Sequence, residues 1–324
     1  MSTYFFTDCI SDDLKRFNSL FKKEVRSKNS LFSLITSYIL RTKGKQLRPT
    51  LVFLTAKMCG GITETTYSGA CMVELMHTAT LIHDDVVDDA IKRRGFFSIN
   101  ALWKNKASVL MGDYFLAKGL LYALERNHIS LLHIISTAVK EMSEGEILQI
   151  EKNRSFSNNE ETYYEIIEKK TASLFVAAMK AGAESTTGAN EQAKEKVSEM
   201  ARFMGLAFQI KDDLLDYSKT SLTGKQTWND LKEQKMTLPI IYALSQAPYK
   251  EQKYMVKRFY NKKNTTADYK EISTFISHYK GFEYAERKIE ELCSQAQQIV
   301  ETFDESEARD AFLNLILYIS TREK

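Results

Sequence analysis

Two short acidic clusters carry the chemistry that this sequence can offer. The first is Asp84-Asp85-x-x-Asp88, followed directly by Asp89, and the second is Asp212-Asp213-x-x-Asp216. On a helix, Asp84 and Asp88 stand four residues apart and project from one face, as do Asp85 and Asp89. Like charges at that spacing repel by a few tenths of a kcal/mol per pair. An acidic cluster of this kind between apolar segments calls for a cation. Magnesium suits it, because it takes one or two carboxylates and completes its shell with phosphate oxygens and water. Two such patterns arise by chance in about one chain in a thousand of ordinary composition. Solvated acidic helix faces are the plainer reading, and the apolar flanks Cys71–Ile82 and Met200–Ile210 speak against it. The spacing and glycine of a calcium-binding EF-hand loop are missing.

A metal-bound anion such as a diphosphate also needs cationic side chains. Lys45 and Arg48 flank an expected helix start at Arg48-Pro49, where exposed N–H groups favour anions. Arg93 and Arg94 follow the first cluster, Lys170-Thr171 lies mid-chain, and Lys225 and Lys235 lie in the stretch Ser218–Thr237. Taken singly, each is an ordinary surface charge, and Arg93-Arg94 could equally form an intrahelical salt bridge with the acids. His77 shares the helical face of Asp84, a position where a histidine is usually a hydrogen-bonded core residue. No Ser-His-Asp or Cys-His arrangement is indicated, and Gly60-Gly61 alone is too weak for a phosphate loop.

The elements that must position these groups read as helices. Apolar residues recur at helical spacing, as in Leu14, Phe17, Leu20 and Phe21, or Ile289, Leu292, Ala296, Ile299 and Phe303. Runs of alternation long enough for strands are absent. With 3 prolines and 13 glycines in 324 residues, long helices are favoured. The expectation is an all-α, single-domain bundle of ten or more helices around a central cavity, spanning 1–324. The helix carrying the first cluster is expected to run to Arg94-Gly95, Lys152–Glu160 and Asn261–Ala267 to be polar loops, and Gly281 to cap a helix. Ser218–Thr237 is expected to be a long functional loop. The 45 basic and 42 acidic residues nearly cancel, which gives no reason to expect nucleic-acid binding. Four scattered cysteines fit a reduced, cytoplasmic protein. No signal segment is visible, and apolar stretches such as Leu31–Leu40 are too short to span a bilayer.

With these residues in place, the chain resembles the trans-type polyprenyl diphosphate synthases. The resemblance rests on Gly44-Lys45-Gln46-Leu47-Arg48-Pro49, Glu74-Leu75-Met76-His77, and the run from His83 to Gly95. Gly112-Asp113-Tyr114, Glu144-Gly145-Glu146, Lys170-Thr171, Phe208-Gln209 through Asp216, and Gly224 through Pro239 follow in the family's order. It implies that Asp84, Asp85 and Asp88, with Asp212, bind Mg2+ ions that hold an allylic diphosphate, supported by Asp213 and Asp216. Arg93, Lys170, Lys225 and Lys235 would contact that diphosphate. Lys45, Arg48, His77 and Arg94 would bind isopentenyl diphosphate, while Gln209 with Thr171 would lie near the reacting centre. Trp228 and Gln234 stand where the family commonly carries glycine.

The resemblance also concerns product length. Short-chain members place a bulky aromatic four or five residues before the first Asp, where this chain has Thr80 and Ala79. With Met76, Val73 and Met72 one and two turns further, these imply an open tunnel and a long all-trans product built on farnesyl or geranyl diphosphate, a quinone side-chain precursor. A homodimer, and transient membrane contact for product release, are implied too. Other readings are a catalytic or regulatory subunit of a heteromeric synthase, a short-chain synthase, and a terpene cyclase; a cyclase would not need Lys45, Arg48 and Arg94.

Overall fold

In the computed structural model, residues 5–42, 44–93, 95–155, 159–218, 228–261 and 263–323 are described. More than ten α-helices make up most of them. The exception to the all-α expectation is a two-residue hairpin, β1 (Lys92–Arg93) paired antiparallel with β2 (Phe96–Phe97), in the register Lys92 to Phe97 and Arg93 to Phe96. Gly95, at φ 82°, supplies the left-handed residue its turn needs.

The chain divides into two compact units. The first comprises residues 1–140, 174–199 and 301–312. Its helices include α1 (Ser11–Glu24), α2 (Ser30–Arg41), α3 (Leu47–Cys59), α4 (Glu64–Val87) and α5 (Ile99–Glu125). The helix start expected near Arg48-Pro49 is there, one residue earlier. A capping box fixes the start of α4: Thr63 accepts from the Thr66 N–H, and the Thr66 hydroxyl accepts from the Thr63 N–H. α4 is buried on nearly every side. Met72, Leu75 and Met76 are almost fully enclosed, each contributing about 1.5–3 kcal/mol of apolar burial.

The other unit comprises residues 141–173, 200–300 and 313–324. Helices α6 (Ile129–Ser155), α8 (Ser173–Glu184) and α9 (Glu191–Ser218) have residues in both units. In the second unit α7 (Glu160–Ile167) is followed directly by one π turn, Glu168–Ala172. Then come α10 (Asn229–Lys232), α11 (Leu238–Gln246), α12 (Tyr249–Phe259), α13 (Thr266–His278) and α14 (Gly281–Val300), and α15 (Glu307–Thr321) ends in this unit.

Three expectations change here. The polar loop at Lys152–Glu160 is shorter than expected, because α6 continues to Ser155 and Asn159 caps α7 by accepting from the Thr162 N–H. The stretch Ser218–Thr237 contains α10, while residues 219–227 lie outside those described. Gly281 does not cap a helix but opens α14. A Cβ there would stand 2.2 Å from the Pro239 carbonyl oxygen, so glycine is what lets α14 approach the start of α11.

Among the described residues α5 is long and apolar enough, by length and composition, to cross a membrane, which the sequence reading had not anticipated. Lys104, at φ 68° and ψ 166°, interrupts its helical geometry. The face carrying Leu110, Leu120, Leu121 and Leu124 is exposed.

Candidate active site

The first acidic cluster closes α4. Val87 is the last helical residue and Asp88 its cap, with the Asp88 N–H bonded to the Asp84 carbonyl at 2.8 Å. Asp89 turns left-handed at φ 47°, a conformation aspartate tolerates better than most residues. The helix therefore stops well short of Arg94, and the expected Asp85/Asp89 pair on one helical face does not form. Asp84 and Asp88 remain a turn apart, the first half-buried and the second exposed. Asp85 is buried, and its Oδ1 accepts from Arg93 Nε at 2.6 Å. That ion pair is real but not intrahelical, since Arg93 sits on β1. Arg94 lies outside the described residues.

Helix α5 holds the residue preceding Asp84. His83 Nε2 is 3.3 Å from Asp113 Oδ1 and 3.3 Å from the Val109 carbonyl oxygen. A Cβ on Gly112 would fall 2.2 Å from His83 Nε2, so glycine is required for this approach. The Gly112-Asp113 motif thus braces the end of α4.

A pocket in the same unit is lined by Gly44, Gln46, His77, Asp85 and Arg93, with Phe97 at its edge. Gln46 is left-handed at φ 54°, turning the chain into α3 between Lys45 and Arg48. Lys45 is exposed; Arg48 is half-buried, its guanidinium carbon 5.9 Å from the Phe175 ring centroid. His77 is buried in the pocket wall. Met76 and Ala79 lie in the core of this unit, and Thr80 is half-buried with its hydroxyl on the His77 carbonyl. Met76 packs where α5 has Gly119: a Cβ there would be 2.9 Å from Met76 Cε.

In the second unit, Asp213 is the most committed acid. It is 1% exposed; Oδ1 accepts from Gln209 Nε2 at 2.7 Å and Lys235 Nζ at 2.9 Å, and Oδ2 accepts from the Tyr163 hydroxyl at 2.7 Å. Gln209 is oriented in turn by the Thr171 hydroxyl, which donates to its Oε1 at 2.6 Å. Asp216 is buried and accepts from the Asp230 N–H at 2.9 Å. Asp212 is the most exposed member of this cluster, with its side chain 46% exposed.

Two of the lysines expected to meet an anion, Lys170 and Lys235, are held by acids. Lys170, in the π turn, pairs with Glu146 and donates to Gln149 Oε1 at 3.0 Å. Burial alone would lower the Lys235 pKa, but Asp213 and Asp230 outweigh it and hold the ammonium charged. Burial pushes the Asp230 carboxyl up to about 7, with Lys235 opposing the shift. Lys225 lies outside the described residues. Tyr163, Glu146, Gln149 and Asp230 were not singled out as ligands to these groups by the sequence reading. For Tyr163, Glu146 and Gln149, only contacts distant along the chain reveal them.

Trp228 and Gln234 are both left-handed, at φ 51° and 58°. That is the geometry glycine adopts at least cost. Here burial against Tyr217 and Tyr269 holds Trp228, and a bond from Nε2 to the Tyr260 carbonyl holds Gln234.

Among the described residues no group of three or more His, Cys, Asp or Glu side chains is arranged to hold a metal by itself. The solvent-reaching acids Asp84, Asp88 and Asp212 nevertheless offer hard oxygen donors. Within each cluster, such donors fit a cation that takes one or two carboxylates and completes its shell with phosphate and water.

A polyprenyl synthetase family model matches residues 29–276, so the chain belongs to that family and is a prenyltransferase with its all-α fold. It is 32% identical over 308 residues to the all-trans-nonaprenyl-diphosphate synthase (geranyl-diphosphate specific) of Rhodobacter capsulatus, covering 94% of each chain. It is 31% identical over 318 residues to heptaprenyl diphosphate synthase component 2 of Geobacillus stearothermophilus, covering 97% of each. A crystal structure of a polyprenyl synthase from Caulobacter crescentus CB15, complexed with calcium and isoprenyl diphosphate, matches with a TM-score of 0.92. The identity is 29%, over 99% of this chain and 98% of that one.

Proposed function

We propose that the chain, as one synthase domain over 1–324, joins an allylic diphosphate to successive isopentenyl diphosphates and makes a long-chain all-trans polyprenyl diphosphate. The observation that carries this is the solvent-reaching pair Asp84 and Asp88, one helical turn apart, beside a pocket lined by His77 and Arg93. Magnesium, when bound, supplies positive charge against the leaving diphosphate. Asp84 and Asp88 would hold it at the first cluster and Asp212 at the second, with Asp85, Asp213 and Asp216 fixing the neighbouring donors. Arg93 spends Nε on Asp85, which orients its two Nη groups for the allylic diphosphate; Lys170 and Lys235 are steered by their acids in the same way, and Lys225 joins them. Lys45, Arg48, His77 and Arg94 take the diphosphate of the isopentenyl substrate. Gln209, aligned by Thr171, lies near the reacting carbons.

The test is incubation of the purified chain with farnesyl diphosphate, labelled isopentenyl diphosphate and magnesium, followed by sizing of the products. Products of about hexaprenyl to decaprenyl length are expected; a product that stops at geranylgeranyl would overturn the long-chain assignment. The small Ala79 and Thr80 support a long product, as does the likeness to a nonaprenyl synthase. Ala79→Phe should shorten the product by several isoprene units, and an unchanged length distribution would remove Ala79 from the tunnel wall.

The exposed leucine face of α5 supports a homodimer. A second reading, that this chain is the catalytic half of a heteromeric synthase, is favoured by the likeness to a protein named as component 2. Absence of incorporation by the chain alone, restored by a partner subunit, would establish it. A cytoplasmic location with transient membrane contact for handing over the apolar product completes the proposal.

A further inference from the structure

The most exposed acid of the second cluster, Asp212, is matched by an arginine that no motif singled out. Arg322 follows α15 directly, its N–H still bonded to the Tyr318 carbonyl at 2.9 Å. Its side chain is only 7% exposed. The guanidinium carbon lies 4.0 Å from the Phe208 ring centroid, and Nη2 donates to the Phe208 carbonyl at 3.0 Å. The same Nη2 stands 3.5 Å from Asp212 Oδ1. Phe208 and Asp212 are four residues apart on α9, so Arg322 staples one helical turn at both ends. Burial disfavours its charge, but an arginine remains protonated even so.

We propose that Arg322 is a resting counter-ion for Asp212. It keeps the second cluster from holding a divalent cation until an anionic diphosphate arrives to share that cation. The inference rests on the proposed role of Asp212 as a cation ligand. The physical case is a competition for one carboxylate. Asp213 and Asp216 are already occupied by Lys235, Gln209, Tyr163 and the Asp230 N–H. A cation arriving alone finds Asp212 beside a fixed positive charge. A diphosphate reverses the balance, since it adds negative charge to which both the cation and the guanidinium are attracted. Arg322 is thus a positioning residue that sets the order of loading.

The test is Mn2+ binding to the full chain, followed by electron paramagnetic resonance of the free ion, with and without inorganic pyrophosphate. The variants are Arg322→Gln, Arg322→Lys, Asp212→Asn and the double variant Arg322→Gln with Asp212→Asn. Without pyrophosphate, Arg322→Gln should bind one Mn2+ up to roughly tenfold tighter, as expected for removing one charge a few ångströms away in a partly solvated site. Arg322→Lys, which keeps the charge, should follow the wild type, and the double variant should lose the gain. A loss of fold cannot imitate tighter binding. Identical isotherms for wild type and Arg322→Gln would overturn the proposal, as would a gain that survives Asp212→Asn. If Asp212→Asn leaves Mn2+ binding unchanged even with pyrophosphate, the cation role of Asp212 falls as well, which separates failure of the underlying reading from failure of the counter-ion alone.

Discussion

Asp213→Ala is expected to destabilise the protein by about 3–5 kcal/mol, the cost of removing one partner from a buried ion pair. The deletion leaves the Lys235 ammonium beside Asp230 alone, and takes away the acceptor of both the Tyr163 hydroxyl and the Gln209 amide. Each abandoned donor adds to the loss. Asp213→Asn, which keeps the shape and an acceptor oxygen, should cost less. Adding Lys235→Met to Asp213→Ala should recover part of the stability, because the stranded charge goes with it. Urea unfolding of the four proteins measures this. A wild-type midpoint for Asp213→Ala would show that the network does not bear on stability.

Asp84→Asn should do the reverse: lose activity and keep the fold. Asp84 lies in the last turn of α4, half-buried with the exposed Asp88 one turn on, so neutralising it relieves a like-charge pair by a few tenths of a kcal/mol. Incorporation of isopentenyl diphosphate should fall about a thousandfold or more, comparable to or beyond the loss of one preorganised electrostatic group at a reacting centre. Steady-state rates and a thermal melt on the same preparation separate the two effects. Undiminished incorporation would exclude the first cluster from catalysis.

The contrast between these two acids marks how far the sequence could be read. Periodicity exposed the helices, because a helix buries a stripe of side chains whatever its neighbours are. The acid pattern was also visible, and so was the helix start ahead of Arg48. Which acids face solvent was not legible. Asp84, Asp85, Asp212 and Asp213 look alike in a string of letters; only Arg93, Lys235 and Tyr163, brought in from elsewhere in the chain, distinguish them. The end of α4 is not legible in the sequence, because Asp88-Asp89 can continue a helix as readily as turn left-handed. The glycine-like positions at Trp228 and Gln234 were noticed from resemblance, and each has the positive φ that glycine adopts at least cost. Arg322 has no local signal at all, since its meaning comes from a helix over a hundred residues upstream.

The π turn at Glu168–Ala172 has a consequence for how this chain tolerates change in length. Such a turn is an α-helix carrying one residue more than its regular winding accommodates. Deleting a single residue within it would restore ordinary helical winding with the flanks nearly in place, and would move the residues of the turn itself to new positions around the helix axis. Thr171 would then swing away from Gln209, and Lys170 from Glu146 and Gln149, although every side chain concerned was still present. Register, as much as residue identity, is therefore inherited at this point: an indel here erases an alignment that no compensating point substitution nearby could rebuild.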